Sequence, residues 1–206
     1  KEIKEFYIKT NEFKKDFLLK GPNYEGINID QGIELMDDYQ LLLNEYNIEE
    51  HRLSISEKLF HISSHIFKDL DDIKDEMKIL TILYNILSKF NQQKLIWSKV
   101  LWNELDITML LDGIKEYIHL IKNKESLNQF CPNIYNQIKN RIISFKIALP
   151  LISSLKNDAL RPRHWQQIIK LTKVQGFTLD KNFTLGKLFE MHLHTKKDEI
   201  SKITQK

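Results

Sequence analysis

Gly186-Lys187 is the only Gly-Lys pair in the 206 residues, and it decides whether the chain could wrap a phosphate. A phosphate-binding loop needs a glycine five residues earlier and a hydroxyl after the lysine, so that bare backbone amides enclose the anion. Lys181 stands in the first place and Leu188 in the second. The pair is not a nucleotide site. His61 and His65 are four apart, as metal ligands on one helix face would be, and His192 and His194 are two apart. Ile62, Ser63 and Ser64 fill the first gap, so the water-activating glutamate of an HExxH zinc site is missing. Neither pair has a third or fourth ligand beside it, and surface or turn roles are expected. Asp69, Asp71, Asp72, Asp75 and Glu76 form an acidic run without the central glycine and terminal glutamate of a calcium loop. At the start of a helix such acids complement the positive end of the dipole. No local motif suggests a Ser-His-Asp or Cys-His arrangement.

The densest unusual segment runs from Leu155 to Ile169 and contains Arg161-Pro162-Arg163-His164-Trp165. Asn157 or Asp158 begins a turn, and Pro162 opens a helix with Trp165, Ile168 and Ile169 toward a core and Arg161 and Arg163 exposed. One reading makes His164 a general base beside Arg163. The other makes it a helix-start residue bonded to backbone, and the lack of a nearby nucleophile or perturbing partner favours that.

These side chains sit in a chain built for helices. Gly numbers only 6 and Pro only 4, which leaves little turn chemistry for a many-stranded sheet. Hydrophobic residues make up 42% and charged residues 29%, enough to bury a core beneath a charged surface. No run approaches a membrane span, and no signal peptide precedes the first helix. The single Cys131 excludes an internal disulfide and a multi-cysteine zinc site, and a reducing compartment suits it. The 31 Lys plus Arg are interleaved with 28 Asp plus Glu, so the net charge of +3 describes a solvated helical surface, not a nucleic-acid groove. With no initiator Met at Lys1, the chain reads as a segment of something longer.

Periodicity predicts a first helix over 3–20 with Phe6, Phe13, Phe17 and Leu18 inward, ended by a left-handed Gly21 before Pro22. Asp30 is expected to cap a second helix, whose seam would be Leu35, Tyr39, Leu42, Tyr46, Leu53 and Phe60, with Glu49 and Ser56 between. A further seam, Ile66, Leu70, Ile73, Met77, Leu80, Tyr84 and Leu87, steps by four and three. It continues through Phe90, Trp97 and Leu101, which predicts a helix beyond 35 residues, roughly 50 Å at ~1.5 Å per residue. A short connection makes these two helices an antiparallel hairpin. Asp106 caps a helix through Asn123 with Leu110, Ile114, Tyr117, Ile118 and Ile121 inward. Pro132 opens another with Ile134, Ile138, Ile142 and Phe145, which Pro150 kinks or ends. A helix follows over Pro162–Thr172, with Trp165 expected against the Ile142–Phe145 helix, and Thr184 caps a last one. The expected fold is all-α, an elongated bundle of long antiparallel helices joined by short loops, with at most a small β-hairpin near 173–183. Residues 1–148 would form one helical bundle and 149–206 further helices after Pro150.

The Arg163-His164-Trp165 segment, with Ala148-Leu149-Pro150-Leu151 before it, resembles the signature of the dynein heavy-chain linker region. There a proline-ended helix is followed by a leucine, a polar turn and Arg-His-Trp. Four further stretches resemble the family in its order. They are Gly21-Pro22 before Gly32-Ile33-Glu34-Leu35, then Glu57-Lys58-Leu59-Phe60, the tryptophan-flanked Trp97 to Leu105, and Phe183 to Leu193. The family commonly has Leu-Pro-Ile after the Leu-Phe pair, whereas here His61-Ile62-Ser63-Ser64-His65 follows, which leaves the geometry of the hairpin tip open. The wording near Leu105 to Ile114 and at His164-Trp165-Gln166-Gln167 leans toward axonemal heavy chains.

The resemblance implies a mechanical role in a microtubule motor. The helical linker joins the tail to the AAA+ ring of the same heavy chain and moves as nucleotide turns over, with Arg163, His164 and Trp165 as a structural family motif. ATP and Mg belong to the downstream ring, and no cofactor, metal or catalytic residue is expected in this segment. The implied location is the cytoplasm and cytoskeleton, including the ciliary or flagellar axoneme. Implied partners are the ring, other dynein subunits and, through the whole motor, the microtubule, with no nucleic acid and no membrane. A rival reading keeps the bundle but makes it a docking module of the tail, holding an associated chain or a neighbouring heavy chain. A contiguous exposed apolar patch would favour docking. An independent enzyme has only scattered His and acidic residues behind it.

Overall fold

The computed structural model describes residues 1–156, 160–172, 181–190 and 196–204. Among them the chain is all-α, with α1 (Glu2–Lys20), α2 (Ile29–Leu59), α3 (Lys68–Ser98), α4 (Ile107–Lys122), α5 (Pro132–Leu155), α6 (Pro162–Thr172), α7 (Leu185–Glu190) and α8 (Lys197–Thr204). No strand is assigned among the described residues; Leu101 and Thr184 form an isolated antiparallel bridge. Most of the hairpin expected near 173–183 falls outside the described residues. The chain divides into two compact units, 1–87 with 124–138, and 88–123 with 139–206. That division does not follow the expected 148/149 boundary, which lies inside α5.

In the first unit α1 packs antiparallel to α2 through aromatic pairs. Phe13 stacks on Tyr46 with ring centroids 4.4 Å apart, and Phe17 meets Tyr39 edge-on at 5.5 Å. Lys9 pairs with Glu49 at 3.0 Å, and Arg52 with Glu2 at 3.3 Å. Helix α3 returns antiparallel to α2: Lys74 reaches Glu50 at 2.6 Å, while Tyr84 lies against Gly32. The acidic run does more than complement a dipole. Asp69 and Asp72 both hold Lys14 of α1, and Glu76 accepts from Asn23 at 2.7 Å.

Several expectations require correction. Gly21 ends α1 in an extended conformation (φ −71°), not a left-handed one. Glycine is needed there because a Cβ would sit 2.3 Å from the Phe17 carbonyl oxygen. Leu18 is exposed. Asn28, not Asp30, caps α2, its side chain accepting the Asp30 amide at 2.9 Å. The buried face of α2 is Gly32, Met36, Tyr39, Leu43, Leu53 and Glu57, so Leu42 and Phe60 point outward. On α3 the expected seam is buried from Leu70 to Leu87, but Phe67 replaces Ile66 at its start. Helix α3 ends after 31 residues because the chain turns at Ser98 and the Trp102 amide bonds to the Phe183 carbonyl at 2.7 Å. Pro150 does not end α5. A mid-helix proline costs roughly 3 kcal/mol, and the burial of Leu149, Leu151, Ile152 and Leu155 on either side offsets it. Asp106 caps α4 through the Thr108 amide at 2.8 Å, and Pro132 is the first residue of α5.

Two carboxylates of the first unit titrate below the usual range. Asp16 is held down first by the Tyr39 hydroxyl, 2.6 Å away, then by Lys20; Asp69 is held down by Lys14, then Asn11. A carboxylate with a lower folded than unfolded pKa adds stability that is present above the unfolded value and lost as pH falls through the folded one. The melting temperature should therefore drop from about pH 4 downward, and Asp16→Asn combined with Asp69→Asn should flatten that drop. An unchanged pH slope in the double variant would remove these groups from the account.

Candidate functional site

The Arg163-His164-Trp165 segment lies in the second unit and forms the first turns of α6. Pro162 takes the first helical position, where its missing N–H costs nothing. His164 Nδ1 accepts the backbone N–H of Arg161 at 3.1 Å, while the His164 amide donates to the Arg161 carbonyl at 2.9 Å. This reproduces the back-bonding half of a capping box, with an imidazole in place of the usual glutamate or glutamine. Accepting at Nδ1 requires a neutral ring with its proton on Nε2. In the other tautomer Nε2 accepts instead, from the Arg163 Nε–H at 3.2 Å, since a neutral imidazole accepts at one ring nitrogen only. Arg161 and Arg163 are exposed, and His164 is a backbone-bonded residue at the helix start.

His164→Ala should destabilise the second unit by about 0.5–2 kcal/mol, as loss of a helix cap does. His164→Gln should recover most of that loss, because its amide oxygen can accept the same N–H. Thermal melts of the two variants check this; equal losses would show that packing rather than capping sets the residue.

Trp165 points inward and is 7% exposed. Its expected neighbour is the Ile142–Phe145 helix; the rings found beside it are Trp102, edge-on at 5.9 Å, and Phe183 at 6.4 Å. Trp102 meets Phe183 in turn at 5.8 Å. Backbone bonds fasten the same segments: Trp102 N–H to the Phe183 carbonyl at 2.7 Å, and Leu185 N–H to the Val100 carbonyl at 3.0 Å. Thus α6, the turn after α3 and the approach to α7 share one joint. Beside it Trp97 stacks on Phe145 at 5.3 Å, and Phe145 meets Phe90 and Phe189. Gly113 admits Trp97, since a Cβ there would fall 2.5 Å from the indole ring.

The residues considered for chemistry are placed differently. Gly186 is inside α7 with its backbone close to Ser98, where a Cβ would come 2.8 Å from the carbonyl oxygen. It is a packing glycine. His61 and His65 share no helix face, because α2 stops at Leu59 and His61 takes a left-handed turn (φ 54°). His65 instead meets the buried carboxylate of Glu57, Nδ1 to Oε1 at 2.5 Å, and its amide donates to the other oxygen at 3.2 Å. The Ile62 amide bonds to the Glu57 carbonyl at 2.9 Å, so Glu57 ties down the hairpin tip. Sequence reading missed Glu57, although it stands one turn beyond Leu53 on the buried face. His192 and His194 lie outside the described residues. Burial pushes the Cys131 thiol up to about 12, so it stays protonated. Among the described residues, no three His, Cys, Asp or Glu side chains converge as metal ligands, and no helix is long and apolar enough to cross a membrane.

The family model described as dynein heavy chain, N-terminal region 2, matches residues 70–206. The chain is 30% identical over 203 residues to the human dynein axonemal heavy chain 10, covering 98% of this chain and 4% of that protein. It is 29% identical over 204 residues to the Chlamydomonas reinhardtii dynein-1-alpha heavy chain of the flagellar inner arm I1 complex, again 98% and 4%. A ciliary dynein beta chain of Tripneustes gratilla is 27% identical over 210 residues, with the same 98% and 4% covered. The chain therefore spans about one twenty-fifth of these relatives.

Proposed function

Because the chain belongs to the dynein heavy chain family, we propose that it is a non-catalytic segment of the linker of a microtubule motor. In this reading it carries strain between the AAA+ ring and the tail while ATP and Mg act in the downstream ring. The supporting observation is the Trp102–Trp165–Phe183 joint within the matched residues 70–206. A force-bearing helical element yields where helices are joined only by chain. Here rings and backbone bonds tie three segments distant in sequence, so load on one reaches the others through packed side chains. The axonemal and ciliary relatives favour a cilium or flagellum as its location. The experiment is to weaken the joint in the complete heavy chain and compare microtubule gliding with ATP turnover. A lever segment loses gliding first.

A second reading, a docking module of the tail, is favoured by a specific feature of the first unit. The outward face of α2 carries Leu41, Ile48, Ile55 and Leu59, all exposed. The two readings concern different units and can both hold.

A further inference from the structure

Over the whole chain acids and bases alternate, but part of the second unit carries bases alone. Residues 88–103, the end of α3 and the turn after it, hold three Lys, and residues 139–156, most of α5, hold three Lys and Arg141. Neither stretch contains an Asp or Glu, although the chain has 28 of them. The two stretches pack on each other through Phe90, Trp97 and Phe145. Beside these rings α3, α5 and α7 bound a cavity of about 340 Å³. Its walls are Phe90, Phe145, Leu151, Ile152, Leu188 and Phe189. Among the described residues that line it, the charged ones are Lys94 and Arg141. Lys94 stands one turn beyond Phe90, with its ammonium 5.4 Å from the centre of the Phe189 ring. Arg141 and Ser144 lie about one turn before Phe145 and Ala148, on the side of α5 that faces the cavity.

Size and chemistry together select an occupant. An apolar recess of roughly 300–1,000 Å³ with a few polar groups at its edge is the usual form of a small-molecule site. A helix with its side chains is about 10–12 Å wide, so a recess of about 340 Å³ holds less than one turn of it. The aromatic and aliphatic walls take hydrocarbon. The lining charge is positive on both α3 and α5, which favours an anionic head over a neutral or cationic one. We propose that this cavity binds a small amphipathic carboxylate, with its hydrocarbon body among Phe90, Phe145 and Phe189 and its head at Lys94 and Arg141. A guanidinium meets a carboxylate with two parallel N–H bonds, whereas an ammonium meets it as a point charge. The Ser144 hydroxyl adds a further donor. A ligand seated in this way touches three helices and holds α7 against α3 and α5, next to the stacked Trp97 and Phe145. The site is independent of the lever and docking readings, and neither falls with it.

Photolabelling of the complete heavy chain tests this, with dodecanoic acid carrying a diazirine on its chain as the probe and the matching dodecanol as its neutral counterpart. The acid should insert into α3 near Phe90 and Lys94, into α5 between Arg141 and Ile152, and into α7 at Leu188 or Phe189. Excess dodecanoate without the diazirine should suppress this, and the alcohol should label the same helices more weakly. Lys94→Gln combined with Arg141→Gln should lower labelling by the acid at least about tenfold, the effect of a lost charge-assisted hydrogen bond. The same variant should keep its labelling by the alcohol, which shows that the cavity itself survives. Ala148→Trp, which fills the cavity, should abolish labelling by both. Four results overturn the proposal. One is no insertion at these helices, as when another segment of the heavy chain fills the cavity. A second is insertion at exposed apolar side chains such as Leu41 and Ile48 as readily as in the cavity, which is adventitious binding only. The third is equal labelling by acid and alcohol, and the fourth is labelling by the acid that persists in either variant.

Discussion

Trp165→Ala should destabilise the second unit by about 3–5 kcal/mol, the range for emptying a buried tryptophan site. The indole is 7% exposed and lies against two other rings, neither of which can collapse into the space without losing its own partner. Trp102 and Phe183 also belong to segments pinned by the 2.7 Å backbone bond between them, which limits relaxation further. Arg163→Ala, one residue away on the exposed side, should cost less than about 1 kcal/mol. Thermal and urea melts of the two variants compare them directly. If Arg163→Ala unfolds the chain while Trp165→Ala melts like the wild type, the segment is an exposed contact surface and not a joint.

The second large effect is expected at Gly32. A Cβ there would lie 1.9 Å from the Tyr84 hydroxyl and 2.5 Å from the ring carbon bearing it. Tyr84 has nowhere to go. It is 4% exposed, and its hydroxyl donates to the Pro22 carbonyl at 2.7 Å, fixing the loop between α1 and α2. Gly32→Ala should therefore add overpacking of about 1–3 kcal/mol to about 1–3 kcal/mol for a buried carbonyl left without its donor. The intrinsic helix preference for alanine, about 1 kcal/mol in the other direction, is too small to reverse the sign. Tyr84→Leu in the same chain removes the obstructing hydroxyl and ring, so the double variant should lose less than the sum of the singles. Strict additivity in that cycle would mean that Gly32 is constrained by something other than Tyr84.

The seam of α3 was legible because Leu70, Ile73 and Met77 keep helical steps with no apolar residue between them, which sets the register for Leu80, Tyr84 and Leu87 although Leu83 and Ile86 are buried beside them. The seam of α2 held at Tyr39 and Leu53 but was one residue off at Leu35 and Leu42, where Met36 and Leu43 are buried instead, for a definite reason. Leu41, Leu42 and Leu43 stand in a row, so apolarity alone cannot say which one faces inward. The residues that fix the answer are Gly32 and Glu57, both buried on that face and neither hydrophobic. Glycine is there for clearance and glutamate for the His65 clamp, and both reasons are tertiary. Pro150 was read locally as a break, and the apolar burial around it outweighed the local rule. At the joint, the inward side of α6 followed from Pro162 and the spacing of Trp165 and Ile168. Its partners did not, because Trp102 and Phe183 carry no signal of their pairing beyond being aromatic.

The central claim is that the joint transmits force and takes no part in ATP hydrolysis. The most direct measurement is microtubule gliding velocity divided by ATP turnover, for the complete heavy chain carrying Trp165→Ala, at a temperature where the variant stays folded. The account predicts that turnover keeps most of its wild-type value while gliding falls sharply, so the ratio drops. Velocity and turnover that fall in proportion, or a ratio indistinguishable from wild type, would contradict it.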